Sequence, residues 1–146
     1  MIFLVAYRKF NQFSADLCKG VHNFTSDATC KVTVALTNAD NQPLATDSVL
    51  ADLTQIDYTN LSSRVVTGIS CGQNDGIAHL KAGNLELTAS GLVATFRYIV
   101  LYNDKPKSDQ LIAWYDYGRD MTMAGGDVLP IEFPDEILTL GIIEYG

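Results

Sequence analysis

The chain has 146 residues, of which 47% are hydrophobic and 18% charged, a composition that excludes a disordered segment and is long enough to bury a core without staples. Its net charge of −7 sets it against nucleic acid, whose backbone is bound through Lys and Arg, and Arg8-Lys9 is the only adjacent pair of cations. No apolar run reaches the length of a membrane span, so neither nucleic acid nor membrane is expected as a partner.

Residues 1–7 are apolar but lack a basic segment ahead of them and a small-residue cleavage site, so they read as an edge strand or a docking arm. Ile2, Phe3, Leu4, Val5 and Tyr7 are accordingly candidate partner-interface residues, joined by Phe10 and Phe13 of the next segment. From 9 to 21 the pattern is helical: Phe10, Phe13, Leu17 and Val21, with Phe24 following, form one apolar stripe, and Gly20 is a stop signal. Residues 31–37 alternate as a strand does, and 38–43 form a turn cluster. Residues 47–53 suit one or two helical turns capped by Thr46 or Asp47.

Residues 64–70 follow, then a loop containing Gly72 and Asp75-Gly76, with short strands at 77–81 and 85–89. Residues 94–102 and 111–117 are dense in β-branched and aromatic residues, and the polar stretch between them holds Pro106, so the three parts read as a hairpin. Further short segments lie at 121–123, 127–133 and 137–143, separated by Gly125-Gly126 and Pro134-Asp135. Eight to ten short strands with one or two short helices near the N-terminus predict a mainly β fold, an antiparallel β-sandwich or jelly roll. With no repeat, low-complexity tract or linker, residues 1–146 read as one domain. Residues 1–8 and 141–146 are candidate terminal arms that either pair with a neighbour or complete the chain's own sheet.

Signals for chemistry are thin. Cys18, Cys30 and Cys71 are odd in number and far apart, which argues against zinc and a disulfide framework and for buried, inert thiols in a reducing compartment. The sequons at Asn23 and Asn60 mean little without a secretion signal. His22 and His79 read as structural, no Gly-x-Ser-x-Gly elbow is present, and Cys71 with His79 is a remote Cys–His pairing. Asp104 and Asp109 flank one loop and could hold a weak calcium ion, though solvated loop charges are far commoner, and no calcium loop with acids at alternating positions, His-Glu-x-x-His or phosphate-cradling Gly-rich loop occurs. Asp116 with Asp120, and Glu132 with Asp135 or Glu136, are the carboxylate pairs a glycosidase would need. Trp114, Tyr115 and Tyr117 could stack on sugar rings, although alternation puts Trp114 with Asp116 on one face and the two tyrosines on the other. The expectation is no catalytic residue, cofactor or metal.

Several segments in order resemble a family of small tailed-bacteriophage virion proteins: Lys9-Phe-Asn-Gln-Phe13, Lys19-Gly-Val-His-Asn23, residues 31–38, Ser48-Val-Leu-Ala-Asp-Leu-Thr54, Phe96-Arg-Tyr-Ile-Val-Leu-Tyr-Asn-Asp104 and Leu111-Ile-Ala-Trp-Tyr-Asp-Tyr-Gly118. The last two are the most specific. The resemblance implies a non-catalytic particle component, assembled in the host cytoplasm and resident in the virion. Its first form is a capsid decoration (cement) protein, a homo-oligomer bound to the major capsid protein or other virion proteins. A tail, collar or fibre-associated protein is the alternative. A carbohydrate-binding module using Trp114, Tyr115 and Tyr117 is the reading of another class.

Overall fold

The computed structural model describes residues 2–3, 7–24, 31–104, 109–133 and 138–141. These form ten strands and one α-helix: β1 (Ile2–Phe3), β2 (Arg8–Lys9), α1 (Asn11–Cys18), β3 (Lys31–Thr37), β4 (Ser70–Asn74), β5 (Ile77–Lys81), β6 (Leu85–Thr88), β7 (Phe96–Asp104), β8 (Leu111–Met121), β9 (Val128–Glu132) and β10 (Leu138–Gly141). The expected mainly β fold is observed. A four-stranded sheet in the order β2-β8-β7-β3 packs against two three-stranded sheets, β1-β9-β6 and β10-β5-β4. All pairings are antiparallel except β1 with β9, where Ile2 and Phe3 lie parallel to Ile131 and Glu132.

The main core fills the space between the sheets. Val32, Val34 and Leu36 of β3, Ile99 and Leu101 of β7, and Ile112 and Tyr115 of β8 meet Leu80, Leu85, Leu87, Leu129 and Ile131 from the other side. A second apolar layer covers the opposite face of the four-stranded sheet: Phe10, Ala35, Tyr98, Val100, Tyr102, Leu111 and Trp114, overlaid by Leu50 and Leu53. The covering loop is tied to the sheet by Leu111 N–H to the Ser48 carbonyl (3.0 Å) and Leu50 N–H to the Asp109 carbonyl (2.9 Å). Cover on both faces buries β3 from Val32 to Thr37 and nearly all of β7, so Thr33 and Thr37 are buried although the apolar residues of β3 largely alternate as in a half-exposed strand.

Among the described residues the chain also covers two of its sheet edges, those of β3 and β6. Along the outer side of β3, Val34 N–H donates to the Arg64 carbonyl (2.9 Å), Val66 N–H to the Val32 carbonyl (2.9 Å) and Ile56 N–H to the Leu36 carbonyl (3.0 Å). The Tyr58 hydroxyl accepts from Leu36 N–H at 2.9 Å and donates to Gln55 at 2.6 Å, while the Arg64 guanidinium donates to the Val34 carbonyl and stacks 3.6 Å over the Tyr58 ring. Residues 55–66 are therefore a strap that satisfies the edge without forming a regular strand. At β6, Ser62 N–H donates to the Thr88 carbonyl (3.0 Å) and Thr88 N–H to the Ser62 hydroxyl (2.8 Å). The β2 edge is only two residues long and both are charged.

Several expectations need correction. The helix spans Asn11–Cys18 and not 9–21, because Lys19 caps it and Gly20, at φ +73°, turns the chain left-handed. Gly20 N–H then bonds the Leu17 carbonyl (3.1 Å) and Val21 N–H the Asp16 carbonyl (2.9 Å), a Schellman closure. The single stripe is divided: Phe10 precedes the helix and enters the outer layer, while Phe13, Leu17 and Phe24 face the main core. Residues 47–53 hold one 3₁₀ turn, Leu50–Asp52, begun at Val49 and not at Thr46 or Asp47. The Asp52 carboxylate accepts the Ser48 and Val49 N–H groups (2.9 and 3.1 Å). Gly72 lies within β4 instead of a loop, and Met121 ends β8 instead of beginning another strand.

Candidate functional site

The candidate interface residues divide on burial. Phe10 and Phe13 are both 0% exposed, so their rings are committed to this chain's own packing and cannot also serve a partner. Phe10 sits 4.6 Å from Trp114, ring centre to ring centre, and Phe13 lies 4.9 Å from the His22 ring. Tyr7 is half-buried against Tyr115, with ring centres 6.0 Å apart. Ile2 and Phe3 run beside β9 of the same chain, and Leu138–Gly141 beside β5. Leu4, Val5 and residues 142–146 lie outside the described residues.

The proposed sugar platform is dispersed. Trp114 (4% exposed) belongs to the outer apolar layer and Tyr115 (1% exposed) to the main core. Alternation did place them on opposite faces, but both faces are covered, so neither ring can stack on a glycan. Tyr117 is half-buried against the main core. Beside it, Arg97 clasps Asp116 through two bonds of 2.9 and 3.2 Å. That guanidinium, with Gly118 N–H as a further donor, holds the Asp116 carboxyl below the usual carboxylate range. A glycosidase general acid requires the opposite shift. Of the other pair, Asp135 and Glu136 fall outside the described residues, and so does the centre of the Asp104–Asp109 loop.

The histidines occupy different settings. His22 is buried, its ring stacked on Phe24 (5.4 Å, 9° between planes), and its Nδ1 lies 3.0 Å from the Asn103 side-chain amide. Burial pushes its pKa down, partly opposed by the Asp16 carboxylate, so the fold favours the neutral imidazole relative to the unfolded chain. His79 is on β5, where the ladder sets it opposite Gly72 while Cys71 is opposite Leu80. Alternation therefore sends Cys71 and His79 to opposite faces of the hairpin and separates them as a Cys–His pair. Cys18 and Cys71 are exposed, which corrects the expectation of buried thiols for those two, and Cys30 lies outside the described residues. Among the described residues no cluster of three His, Cys, Asp or Glu side chains could hold a metal ion.

What the described surface offers is shape and edge. Leu92 (70% exposed) and Val128 (51% exposed) project from the two ends of the ladder that joins residues 88–93 to 123–128. Every residue of β4 is exposed, and no described strand covers its second side. A groove of about 290 Å³ runs beside it, lined by Ser70, Gly72, Asn74, His79 and Lys81. Sequence reading missed this edge because β4 has no hydrophobic alternation. Its signal was Asp75-Gly76, the dipeptide of a two-residue hairpin, here with φ of +52° and +81° as a type I′ turn demands.

The geometry thus defines a mainly β sandwich in which Trp114 and Tyr115, like most of the described aromatic residues, are buried. No family model, curated protein or solved structure matches the chain.

Proposed function

We propose that this chain is a non-catalytic structural protein of a tailed-bacteriophage virion, in the first instance a capsid decoration protein that binds across neighbouring capsid subunits. The observation that carries the reading is the resemblance of the segments 96–104 and 111–118. These segments are β7 and most of β8, the two central strands of the four-stranded sheet, so the likeness concerns the framework of the fold and not a surface loop. The inward commitment of Trp114 and Tyr115 supports it against the carbohydrate-binding alternative, which loses its stacking rings.

The test is the copy number of the protein in purified parent virions, by quantitative mass spectrometry against the major capsid protein. A count comparable with the capsid subunits is expected for a decoration protein. A small fraction of that number moves the protein to the tail, collar or fibres. Its absence from the particle overturns the virion reading altogether.

A further inference from the structure

We propose that the chain self-associates through the open edge of β4, two copies pairing antiparallel about a two-fold axis through Gly72. The inference is independent of any virion role. It starts from the hairpin: Asn74 and Ile77 close the two-residue Asp75-Gly76 turn, so the pairs 74/77, 72/79 and 70/81 exchange the inward hydrogen bonds. The N–H and C=O groups of Cys71 and Gln73 therefore point away from β5. Among the described residues nothing bonds to them. The outer sides of β3 and β6 are strapped and β2 is short and charged, whereas β4 carries no Pro, no bulge and no charge to blunt it.

A second copy is the occupant that the sequence fits. On a chain of net charge −7, Ser-Cys-Gly-Gln-Asn is a neutral strip, so two acidic molecules can meet there without opposing like charges. About a two-fold at Gly72, Cys71 faces the copy's Gln73 in a hydrogen-bonded pair, and the reverse, giving four backbone bonds. Ser70 faces the copy's Asn74, polar to polar. Gly72 faces its own image at a non-hydrogen-bonded position, where strands approach closest, and a Cβ there would meet nothing within 4 Å inside its own chain. The product is one continuous sheet, β10-β5-β4 joined to its copy.

The test combines sedimentation equilibrium with two kinds of variant. Gln73→Pro removes an outward N–H from each copy while leaving the hairpin's own backbone ladder, and Gln73→Glu places charge on the edge while keeping a side-chain oxygen to accept from Gly76 N–H as Gln73 does (3.0 Å). The wild type is expected to be a dimer, and either variant to weaken it about tenfold or more while keeping the wild-type circular dichroism spectrum. Gly72→Cys, in a chain with Cys18, Cys30 and Cys71 all changed to Ser, is expected to form an intermolecular disulfide when oxidised with diamide. Its Cα atoms would stand about 4.5 Å apart in this register, within disulfide reach. A monomeric wild type, an edge variant that dimerises unchanged, or a Gly72→Cys chain that does not cross-link would each overturn the proposal.

Discussion

Replacing Tyr115 by Phe should stabilise the protein. The Tyr115 ring is 1% exposed in the main core, between Tyr7 and Phe133, and its hydroxyl has no hydrogen-bond partner among the described residues. An unsatisfied buried hydroxyl costs about 1–3 kcal/mol, and phenylalanine keeps the ring while removing the group. With an unfolding entropy of roughly 2.1 cal/mol/K per residue, 146 residues give about 0.3 kcal/mol/K, so a gain of about 1 kcal/mol raises Tm by about 3 °C. Urea titration should show a higher midpoint with an unchanged m value. The advantage should widen in alkali. Burial raises the Tyr115 pKa above its ordinary value of 10, so the unfolded chain ionises first and wild-type stability falls as pH climbs beyond 10. The phenylalanine variant lacks that loss. A fall in Tm of 2 °C or more on Tyr115→Phe would refute the reasoning and show that the hydroxyl is satisfied in solution.

Arg64→Ala should cost about 2 kcal/mol in urea unfolding, because it removes a charged donor from the Val34 carbonyl and the cation stacked on Tyr58. Arg64→Lys should recover only part of this, lacking the planar fork. Burial lowers the His22 pKa in the fold, so the unfolded chain takes up that proton first, Tm should fall as pH drops below 6.5, and His22→Gln should flatten that slope. Asp52, Asp57 and Asp116 are all held below their ordinary range and titrate later, which keeps the window between pH 6.5 and 5 clear of them. Gly83→Ala should destabilise by about 1–3 kcal/mol, since its Cβ would stand 2.9 Å from the Thr67 carbonyl oxygen, a backbone atom that cannot step aside. Gly72→Ala, with open space around it, should stay within about 0.5 kcal/mol.

The legible parts of the sequence were those where one local signal met one local environment. Residues 31–37 and 77–81 were placed to the residue, because β-branched or apolar patterning stopped at clear turn residues. The aromatic hairpin was legible for the same reason, but its second strand runs on to Met121 through Gly118, whose φ of +92° broke the pattern that signals a strand. The burial of Trp114 and Tyr115 on opposite faces was hidden. It depends on the 44–53 loop folding over the outer face, and nothing in that loop's own residues announces a lid. Phe10 and Phe13 looked like one helical face because their spacing allows it. In three dimensions the chain passes around the sheet edge between them. The strap at 55–66 was unreadable as structure, since its bonds come from Tyr58 and Arg64 side chains as much as from a ladder.

The start of the chain sets a schedule for synthesis. Arg8 and Lys9 pair with Trp114 and Ala113, and Ile2 and Phe3 with Ile131 and Glu132, so these first strands have no ladder until the last third of the protein exists. At ribosomal rates of about 5–20 residues per second, that leaves them unpaired for roughly 5–25 seconds. Phe10 and Phe13 wait with them, one for Trp114 and one for the completed core. The β3–β7–β8 sheet must therefore be the platform on which the beginning of the chain settles last. Substitutions that slow the β7–β8 hairpin should appear first as aggregation during expression, before any loss of stability in the finished fold.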